Sequence, residues 1–177
     1  MSDRLLVTGF LPFGGFDVNP SALLSASCGR RHELIEVAFD AVDTFVDRIV
    51  SADGFDTLLM FGMRSRGATG FELERRALNV ISPRPDTRHH VRGPAPIDPD
   101  GPPELASTLF TSPQLPVGRF SDDAGRYLCN YAYYRALRAL PNKRIGFVHV
   151  PPIDVMPIEE QRDALKQLIH HVECTGR

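Results

Sequence analysis

The chain has 177 residues, of which 42% are hydrophobic and 24% are charged. This length and composition are typical of one globular domain with a substantial core, and we expect that domain to span residues 1–177. Lysine and arginine total 20 against 22 for aspartate and glutamate, which gives a formal net charge of -2. A nucleic-acid partner is disfavoured, because nucleic-acid-binding domains are usually strongly basic.

The sequence also argues against membrane spans and cysteine-based scaffolds. No apolar run approaches the roughly 18 residues of a membrane span. Met1–Arg4 leads straight into an apolar segment without the features of a secretory signal, so we expect a cytoplasmic location. The three cysteines, Cys28, Cys129 and Cys174, are an odd number without metal-type spacing, which disfavours both a disulfide framework and a structural metal site.

Apolar runs typical of buried strands alternate with segments of helical periodicity along most of the chain. This alternation predicts a three-layer α/β/α sandwich around a mostly parallel, twisted sheet. In chain order, the predicted elements are a strand Leu5–Thr8, a helix Ser21–Ala26, a strand Leu34–Phe39, a helix Asp40–Val50 with Asp40 as its N-cap, a strand Thr57–Phe61, a strand Phe71–Glu74, a helix Glu104–Phe110, a strand Val117–Phe120, a helix Leu128–Leu140, a strand Ile145–Val150 and a helix Glu159–Val172.

The segment from Pro83 to Pro103 interrupts this alternation. It contains seven of the 15 prolines, which excludes a long helix and a central strand. We predict one long ordered loop or flap at 83–103, and loops of this length within a compact domain are often functional.

Cys129 is a candidate nucleophile. It lies at the N-terminus of the helix predicted from Leu128, where the helix dipole and unpaired N–H groups favour a thiolate. The alternative is a structural role, since free cysteine is among the most buried residue types. His149, at the end of a central strand, suits a general base because the carboxyl ends of parallel strands line the ligand crevice. A satisfied core histidine is the alternative there.

Glu74 is a candidate third member of a catalytic group. A Cys–His pair works best when a carboxylate orients the imidazole and stabilises its charged form. Glu72 lies on the same face of the predicted strand and is not distinguished from Glu74 by position. The alternative for both is a solvated strand face.

Phe10 and Phe13 lie on the glycine-flanked turn that follows the first predicted strand. The turn lacks the Gly-Lys-Ser/Thr ending of a phosphate-binding loop, which disfavours a nucleotide site. The two aromatic rings suit either the wall of an apolar pocket or core packing against the sheet.

Four stretches spread over nearly the whole chain carry a resemblance to a known family. They are Thr8–Gly15 with Val18–Ser21, Glu74–Asn79 with Arg84–Asp86, Asp123–Asn130 with Tyr133–Tyr134, and Gly146–Pro152. On these residues the chain resembles the pyroglutamyl peptidase I family, also called pyrrolidone-carboxylate peptidases, which are cysteine peptidases.

The resemblance implies an enzyme that removes an N-terminal pyroglutamyl residue from peptides through a thioester, without a metal or an organic cofactor. It implies Cys129 as the nucleophile, His149 as the general acid and base, and Glu74 as the orienting carboxylate. It also implies self-association into a dimer or tetramer. Matches to the family's oxyanion and substrate-pocket positions are Arg84, Phe10, Phe13, Asn19, Tyr127 and Leu128.

The loop at 62–70 departs from the glycine-rich loop that helps to bind the lactam in many members of the family. Arg64 and Arg66 stand in this loop and favour a second interpretation, in which a related cysteine hydrolase removes an acidic or otherwise different N-terminal group. A third interpretation is a catalytically inactive domain that binds a modified peptide end or a small lactam.

Overall fold

A computed structural model of the protein describes residues 4–114 and 117–175. The expectation for residues 1–3 concerns residues outside this description. The two ends of the domain predicted at 1–177 also lie outside it. The elements in chain order are β1 (Leu5–Phe10), α1 (Pro20–Ser27), β2 (Arg31–Ile35), α2 (Phe39–Val50), β3 (Thr57–Met63), β4 (Glu72–Glu74), β5 (Arg76–Leu78), β6 (Glu104–Ala106), β7 (Arg119–Ser121), α3 (Leu128–Ala139), β8 (Arg144–Val150) and α4 (Ile158–Cys174).

Six strands form one sheet in the order β2-β1-β3-β8-β4-β7. Neighbouring strands run parallel, except that β4 runs antiparallel to β8. The strands β5 and β6 form a separate antiparallel pair. The predicted mostly parallel sheet is therefore confirmed.

Helices cover both faces of this sheet. Along β1, Leu6 belongs to a hydrophobic cluster with α2 and α3, whereas Leu5 and Val7 belong to a second cluster with α1 and α4. Successive side chains of a strand point to opposite faces, so a strand buried on both sides needs a continuous apolar run. β1 and β3 meet this requirement, because every one of their residues is buried.

Two predicted elements are wrong. The strand expected at Leu34–Phe39 lies instead at Arg31–Ile35, where it forms β2. This edge strand begins with exposed polar residues, so the apolar residues after Leu34 do not mark its extent. The helix expected at Glu104–Phe110 begins instead with β6, which pairs with β5. In both places, pairing between distant segments overrides the local pattern.

The N-terminus of α2 also differs from the prediction. Ala38, not Asp40, is the N-cap residue, and its side chain makes no capping hydrogen bond. The carboxylate of Asp86 supplies the missing cap by accepting from Phe39 N at 3.0 Å. As predicted, residues 83–103 contain no helix and no strand. No helix within 4–114 and 117–175 is long and apolar enough to cross a membrane.

Candidate active site

The candidate site lies at the carboxyl ends of β3 and β8, where parallel strands form a crevice. Gly62 of β3 stands opposite His149 of β8 in the register of the sheet. The sulfur of Cys129 reaches the same place from α3, because a Cβ atom on Gly62 would lie only 2.7 Å from Cys129 Sγ. Position 62 therefore requires glycine in order to admit the thiol next to the imidazole.

A cleft of about 230 Å³ opens over this place. Five of the residues singled out in the sequence line it, so the structure brings the candidate nucleophile, base, oxyanion arginine and part of the pocket wall together. They are Cys129, His149, Arg84, Phe13 and Tyr127.

Glu74 orients the imidazole of His149. The Nδ1 atom of His149 lies 2.7 Å from Oε1 of Glu74, and both side chains are buried. An ionised carboxylate only accepts hydrogen bonds, so Nδ1 carries the proton and donates it to Glu74. This tautomer leaves Nε2 for proton exchange with the thiol. The ring of Phe147, 5.0 Å from the imidazole centroid, supports the imidazole from the side.

Arg64 connects both buried glutamates to the same site. Its Nε lies 2.6 Å from Oε2 of Glu72, and its Nη2 lies 2.8 Å from Oε1 of Glu74. Nη2 also donates to the carbonyl of Asp123 at 2.6 Å. Since the guanidinium is committed to these acceptors, the structure disfavours the interpretation in which Arg64 binds an acidic acyl group. Nη2 lies 3.2 Å from Nδ1 of His149, and because both atoms are donors this is a contact and not a hydrogen bond.

The strand β4 places the two glutamates. Glu72 stands opposite His149 and Glu74 opposite Phe147, so Glu74 reaches the imidazole diagonally across the pair of strands. Arg119 of β7 pairs with the second oxygen of Glu72. Glu72 is 3% and Glu74 0% exposed, so the alternative of a solvated strand face is wrong. Two arginines balance these two carboxylates, which matters because an unpaired buried charge is strongly destabilising.

Cys129 lies at the helix position that the sequence predicts, where two effects on its thiol oppose each other. It is the second residue of α3, where the helix N-terminus favours a thiolate. Burial nevertheless raises the pKa of the thiol to about 12, with Arg64 and Arg84 opposing this rise and Glu74 adding to it. Burial thus opposes the effect of the helix N-terminus, and a neighbouring base is needed to remove the proton when the thiol reacts.

Two kinds of donor are available for a developing oxyanion. The first N–H groups of a helix have no intrahelical acceptor, and the N-cap Tyr127 supplies no side-chain cap to α3. The guanidinium of Arg84 lies 4.3 Å above the ring of Tyr127, whose hydroxyl donates to the carbonyl of Pro85 at 2.8 Å. This stacking holds Arg84 at the cleft.

Three predicted pocket residues have their side chains elsewhere. Phe10 and Leu128 lie in the hydrophobic cluster beneath α2 and α3. Asn19 is the N-cap of α1, and its side-chain amide donates to the carbonyl of Leu11 at 3.2 Å. Asn19 therefore shapes the loop that carries Phe13, and only Phe13 of the two phenylalanines lines the cleft.

Two side chains of α3 fasten the helix that carries Cys129 to the segment that begins at Glu74. Asn130 exchanges hydrogen bonds with the backbone of Leu78, accepting from N and donating to O at 2.8 Å each, and donates to the carbonyl of Val80. The buried hydroxyl of Tyr133 donates to the carbonyl of Glu74 at 3.0 Å. The helix that carries Cys129 is thus held directly against the strand that carries Glu74.

Sequence reasoning missed the catalytic surroundings of Arg64 and the need for Gly62. Gly62 directly follows the strand predicted at Thr57–Phe61. This position indicates the crevice at the end of a sheet, but it does not indicate the approach of a thiol. The two-residue spacing of Glu72 and Glu74 predicts that both carboxylates lie on one face of the strand. Their shared arginine partner, Arg64, lies in the loop after β3. Only the sheet order, with β8 between β3 and β4, joins them.

Comparison with known proteins gives a consistent result. Residues 3–172 match the family described as Pyroglutamyl peptidase. A pyrrolidone-carboxylate peptidase of Streptomyces coelicolor is 34% identical over 169 residues, covering 84% of this chain and 77% of that protein. One from Staphylococcus aureus is 31% identical over 171 residues, covering 85% and 79%.

Solved structures agree in fold. Pyrrolidone carboxyl peptidase from Thermus thermophilus superimposes with a TM-score of 0.82 at 33% identity, covering 94% of this chain and 99% of that chain. A variant of the Pyrococcus furiosus enzyme gives a TM-score of 0.84 at 26% identity, covering 98% and 99%.

Proposed function

The chain belongs to the pyroglutamyl peptidase family, a family of cysteine peptidases, and from this premise we propose that it removes N-terminal pyroglutamyl residues with Cys129, His149 and Glu74 as its catalytic group. One observation carries the assignment of residues. The imidazole of His149, held by Glu74 at 2.7 Å, lines the same cleft as Cys129, the one cysteine among the described lining residues.

The first step is attack by sulfur. As Cys129 Sγ bonds to the carbonyl carbon that joins pyroglutamate to the next residue, the thiol proton passes to Nε2 of His149. A base is needed because burial raises the pKa of the thiol to about 12. Glu74 stabilises the imidazolium that forms, and such positioned proton transfer contributes roughly 10²- to 10⁴-fold to a rate.

The second step breaks the amide bond. The tetrahedral oxyanion is stabilised by the backbone N–H of Cys129 and by the guanidinium of Arg84, since donors fixed in advance lower the cost of developing charge. The imidazolium of His149 returns its proton to the leaving amine, and the acyl group remains on sulfur as a thioester. Water, deprotonated by His149, then attacks the thioester, releasing pyroglutamate and regenerating the thiol.

The pocket chemistry supports a lactam as the acyl group. A pyroglutamyl ring is small and uncharged, so apolar walls with a few polar groups suffice to select it. Phe13, Met63 and Tyr127 supply such walls in the cleft. The interpretation that favoured an acidic acyl group depended on Arg64 and Arg66, and Arg64 is engaged with two buried glutamates.

Arg64 acts as a positioning residue in this scheme. It donates to the same oxygen of Glu74 that accepts from His149 and to the backbone of Asp123 in the loop that leads to α3. Its guanidinium thereby holds the carboxylate of Glu74 in place while the charge on the imidazole changes. Self-association into a dimer or tetramer and a cytoplasmic location stay predictions.

The test is release of a fluorescent amine from its pyroglutamyl amide under reducing conditions. We expect turnover by the native protein and none above background for Cys129→Ala. Cys174→Ala is the matched control, because Cys174 is exposed on α4, and we expect it to retain full activity. Turnover by Cys129→Ala would exclude Cys129 as the nucleophile, and silence of the native protein on every pyroglutamyl substrate would favour the binding domain.

A further inference from the structure

The mouth of the catalytic cleft is strongly cationic although the chain as a whole carries a net charge of -2. Four arginines line the cleft, and its described lining contains no aspartate or glutamate. Arg64 is neutralised from behind by Glu72 and Glu74. The other three form the group that we call the mouth arginines: Arg66, Arg84 and Arg126.

The mouth arginines are exposed, and within 4–114 and 117–175 none of them makes an ion pair. The carboxylates nearest to them in the chain have other tasks. Asp123 accepts from the N–H of Gly125 at 3.0 Å, Asp122 pairs with Arg75, and Asp86 accepts only from backbone N–H groups and lies close to His90. The positive field of the mouth is therefore not cancelled locally.

The acyl part of the substrate offers no anion to these cations. A pyroglutamyl ring is neutral, and its carboxyl carbon is the atom under attack in the scissile bond. The transient oxyanion needs Arg84 together with the N–H of Cys129, as described above. Arg66 and Arg126 have no ion-pair partner in the described residues, so any substrate anion that they bind belongs to the part of the peptide beyond the scissile bond.

We propose that Arg66 and Arg126, with Arg84, form a subsite for a carboxylate on the first residue after the scissile bond. The preferred substrates are then short acidic pyroglutamyl peptides, whose carboxylate is either an acidic side chain or the free C-terminus of a dipeptide. This inference rests on the proposed function, because it takes the neutral pyroglutamyl group as the acyl part.

The size of the effect follows from the exposure of the arginines. An ion pair at a solvent-exposed position changes an equilibrium by roughly 2- to 5-fold, so three cations acting together predict a preference of about 10-fold in kcat/KM. Salt screens exposed charges over a distance of about 10 Å at 0.1 M. The preference therefore falls as the ionic strength rises, whereas an apolar pocket for the same residue is insensitive to salt.

The experiment compares kcat/KM for four pyroglutamyl dipeptides that differ only in the residue after the scissile bond or in its C-terminal group. Pyroglutamyl-glutamine amide is the neutral reference, pyroglutamyl-glutamate amide tests an acidic side chain, pyroglutamyl-glutamine with a free carboxyl end tests a terminal carboxylate, and pyroglutamyl-lysine amide tests a cation. For the native protein at low salt we expect one or both anionic peptides to exceed the reference by about 10-fold and the lysine peptide to fall below it. The two anionic arms identify which carboxylate the subsite takes.

Variants connect the preference to the mouth arginines. In the double variant Arg66→Ala with Arg126→Ala, we expect the ratio of anionic to neutral peptide to fall to within about 2-fold of one. Arg31→Ala is the matched control, because Arg31 is an exposed arginine at the start of the edge strand β2, and we expect all four rates to keep their native values.

The outcomes distinguish failure of the carboxylate subsite from failure of the proposed peptidase function. Hydrolysis of all four peptides at similar rates, or a preference that survives the double variant, overturns the subsite and leaves the peptidase intact. Failure to hydrolyse any of the four overturns the proposed function and the subsite together. A preference that disappears in the double variant and in high salt establishes the subsite.

Discussion

Two buried carboxylates, Glu74 and Asp86, accept hydrogen bonds from different kinds of donor. Glu74 is 0% and Asp86 5% exposed. The partners of Glu74 are side chains, namely the imidazole of His149 and the guanidinium of Arg64. The hydrogen-bond donors to Asp86 belong to the backbone.

The backbone donors to Asp86 tie two segments together. One oxygen accepts from Phe39 N at 3.0 Å, and the other accepts from Arg88 N at 2.8 Å and His90 N at 2.9 Å. Burial alone raises the pKa of Asp86, but these three N–H groups outweigh it and hold the pKa below its usual value near 3.8. Asp86 thereby caps α2 and shapes the proline-rich segment.

The comparison of Glu74 with Asp86 shows how the same chemical group, a buried carboxylate, can serve either chemistry or structure. Backbone donors are fixed once the chain has folded, so a carboxylate that they hold serves as a permanent joint. A carboxylate held by an imidazole instead experiences a change of charge whenever the imidazole gains a proton. The second arrangement needs a compensating cation that stays in place, which is the part played by Arg64.

The largest expected effect in this comparison comes from Glu74→Gln. The amide keeps the shape of the side chain but no longer fixes the tautomer or stabilises the imidazolium, so we expect kcat/KM for a pyroglutamyl amide to fall roughly 10²- to 10⁴-fold. The fall should appear in kcat more than in KM, since the acyl pocket is untouched. An unchanged kcat would show that His149 works without its carboxylate.

The next effect comes from Arg64→Met. We expect a loss of about 3–5 kcal/mol in the free energy of unfolding, because one partner of a buried pair is removed, and a fall of about 10²-fold in kcat through misplacement of Glu74 and His149. Chemical denaturation and steady-state kinetics measure the two losses separately.

A double variant separates the catalytic role of Arg64 from its role in stability. Glu72→Met combined with Arg64→Met replaces one ion pair by apolar side chains of similar size, so the part of the stability loss that comes from the unpaired Glu72 should return. The activity should not return, since Glu74 still lacks its cation. Recovery of both together would make Arg64 a structural residue only.

The smallest effect on activity is expected for Asp86→Asn. This substitution should lower the stability of the fold and leave kcat nearly unchanged. Weaker acceptance from three buried N–H groups should lower the free energy of unfolding at neutral pH by about 1–3 kcal/mol. Because folding lowers the pKa of Asp86, its contribution is present above pH 3.8 and disappears as the pH falls through the folded value. Denaturation midpoints of the variant and the native protein should therefore converge in acid.

A loss of kcat in Asp86→Asn as large as that in Glu74→Gln, with an unchanged stability, would contradict the division of roles between the two carboxylates.

Elements buried on both sides were predictable from the sequence, and edge elements were not. The strand at Ile145–Val150 lies within β8, which has six buried residues out of seven, so its apolar run needs no partner to be recognised. β2 and β6 contain exposed residues and owe their extended form to pairing with β1 and β5. Such pairing depends on tertiary structure and leaves little local signal.

In the candidate site, too, some features were predictable from the sequence and others depend on tertiary packing. The motifs predicted the neighbourhood of three residues: Glu74 contacts His149, and His149 lines the same cleft as Cys129. The protonation state of Cys129 was not predictable, because the helix position is local whereas the desolvation that raises its pKa comes from the packing of several elements. The same holds for Phe10, whose ring enters the core while that of Phe13 lines the cleft.

The clamps that Asn130 and Tyr133 make from α3 have a consequence for the evolution of the chain. They join the helix of Cys129 to Glu74, Leu78 and Val80, so these contacts do not depend on the exposed turns between residues 81 and 127. Lengthening a closed loop costs little, about 0.6 kcal/mol for each doubling. The exposed parts of this segment are therefore free to gain or lose residues and so to remodel the entrance of the cleft, while the catalytic geometry is inherited unchanged.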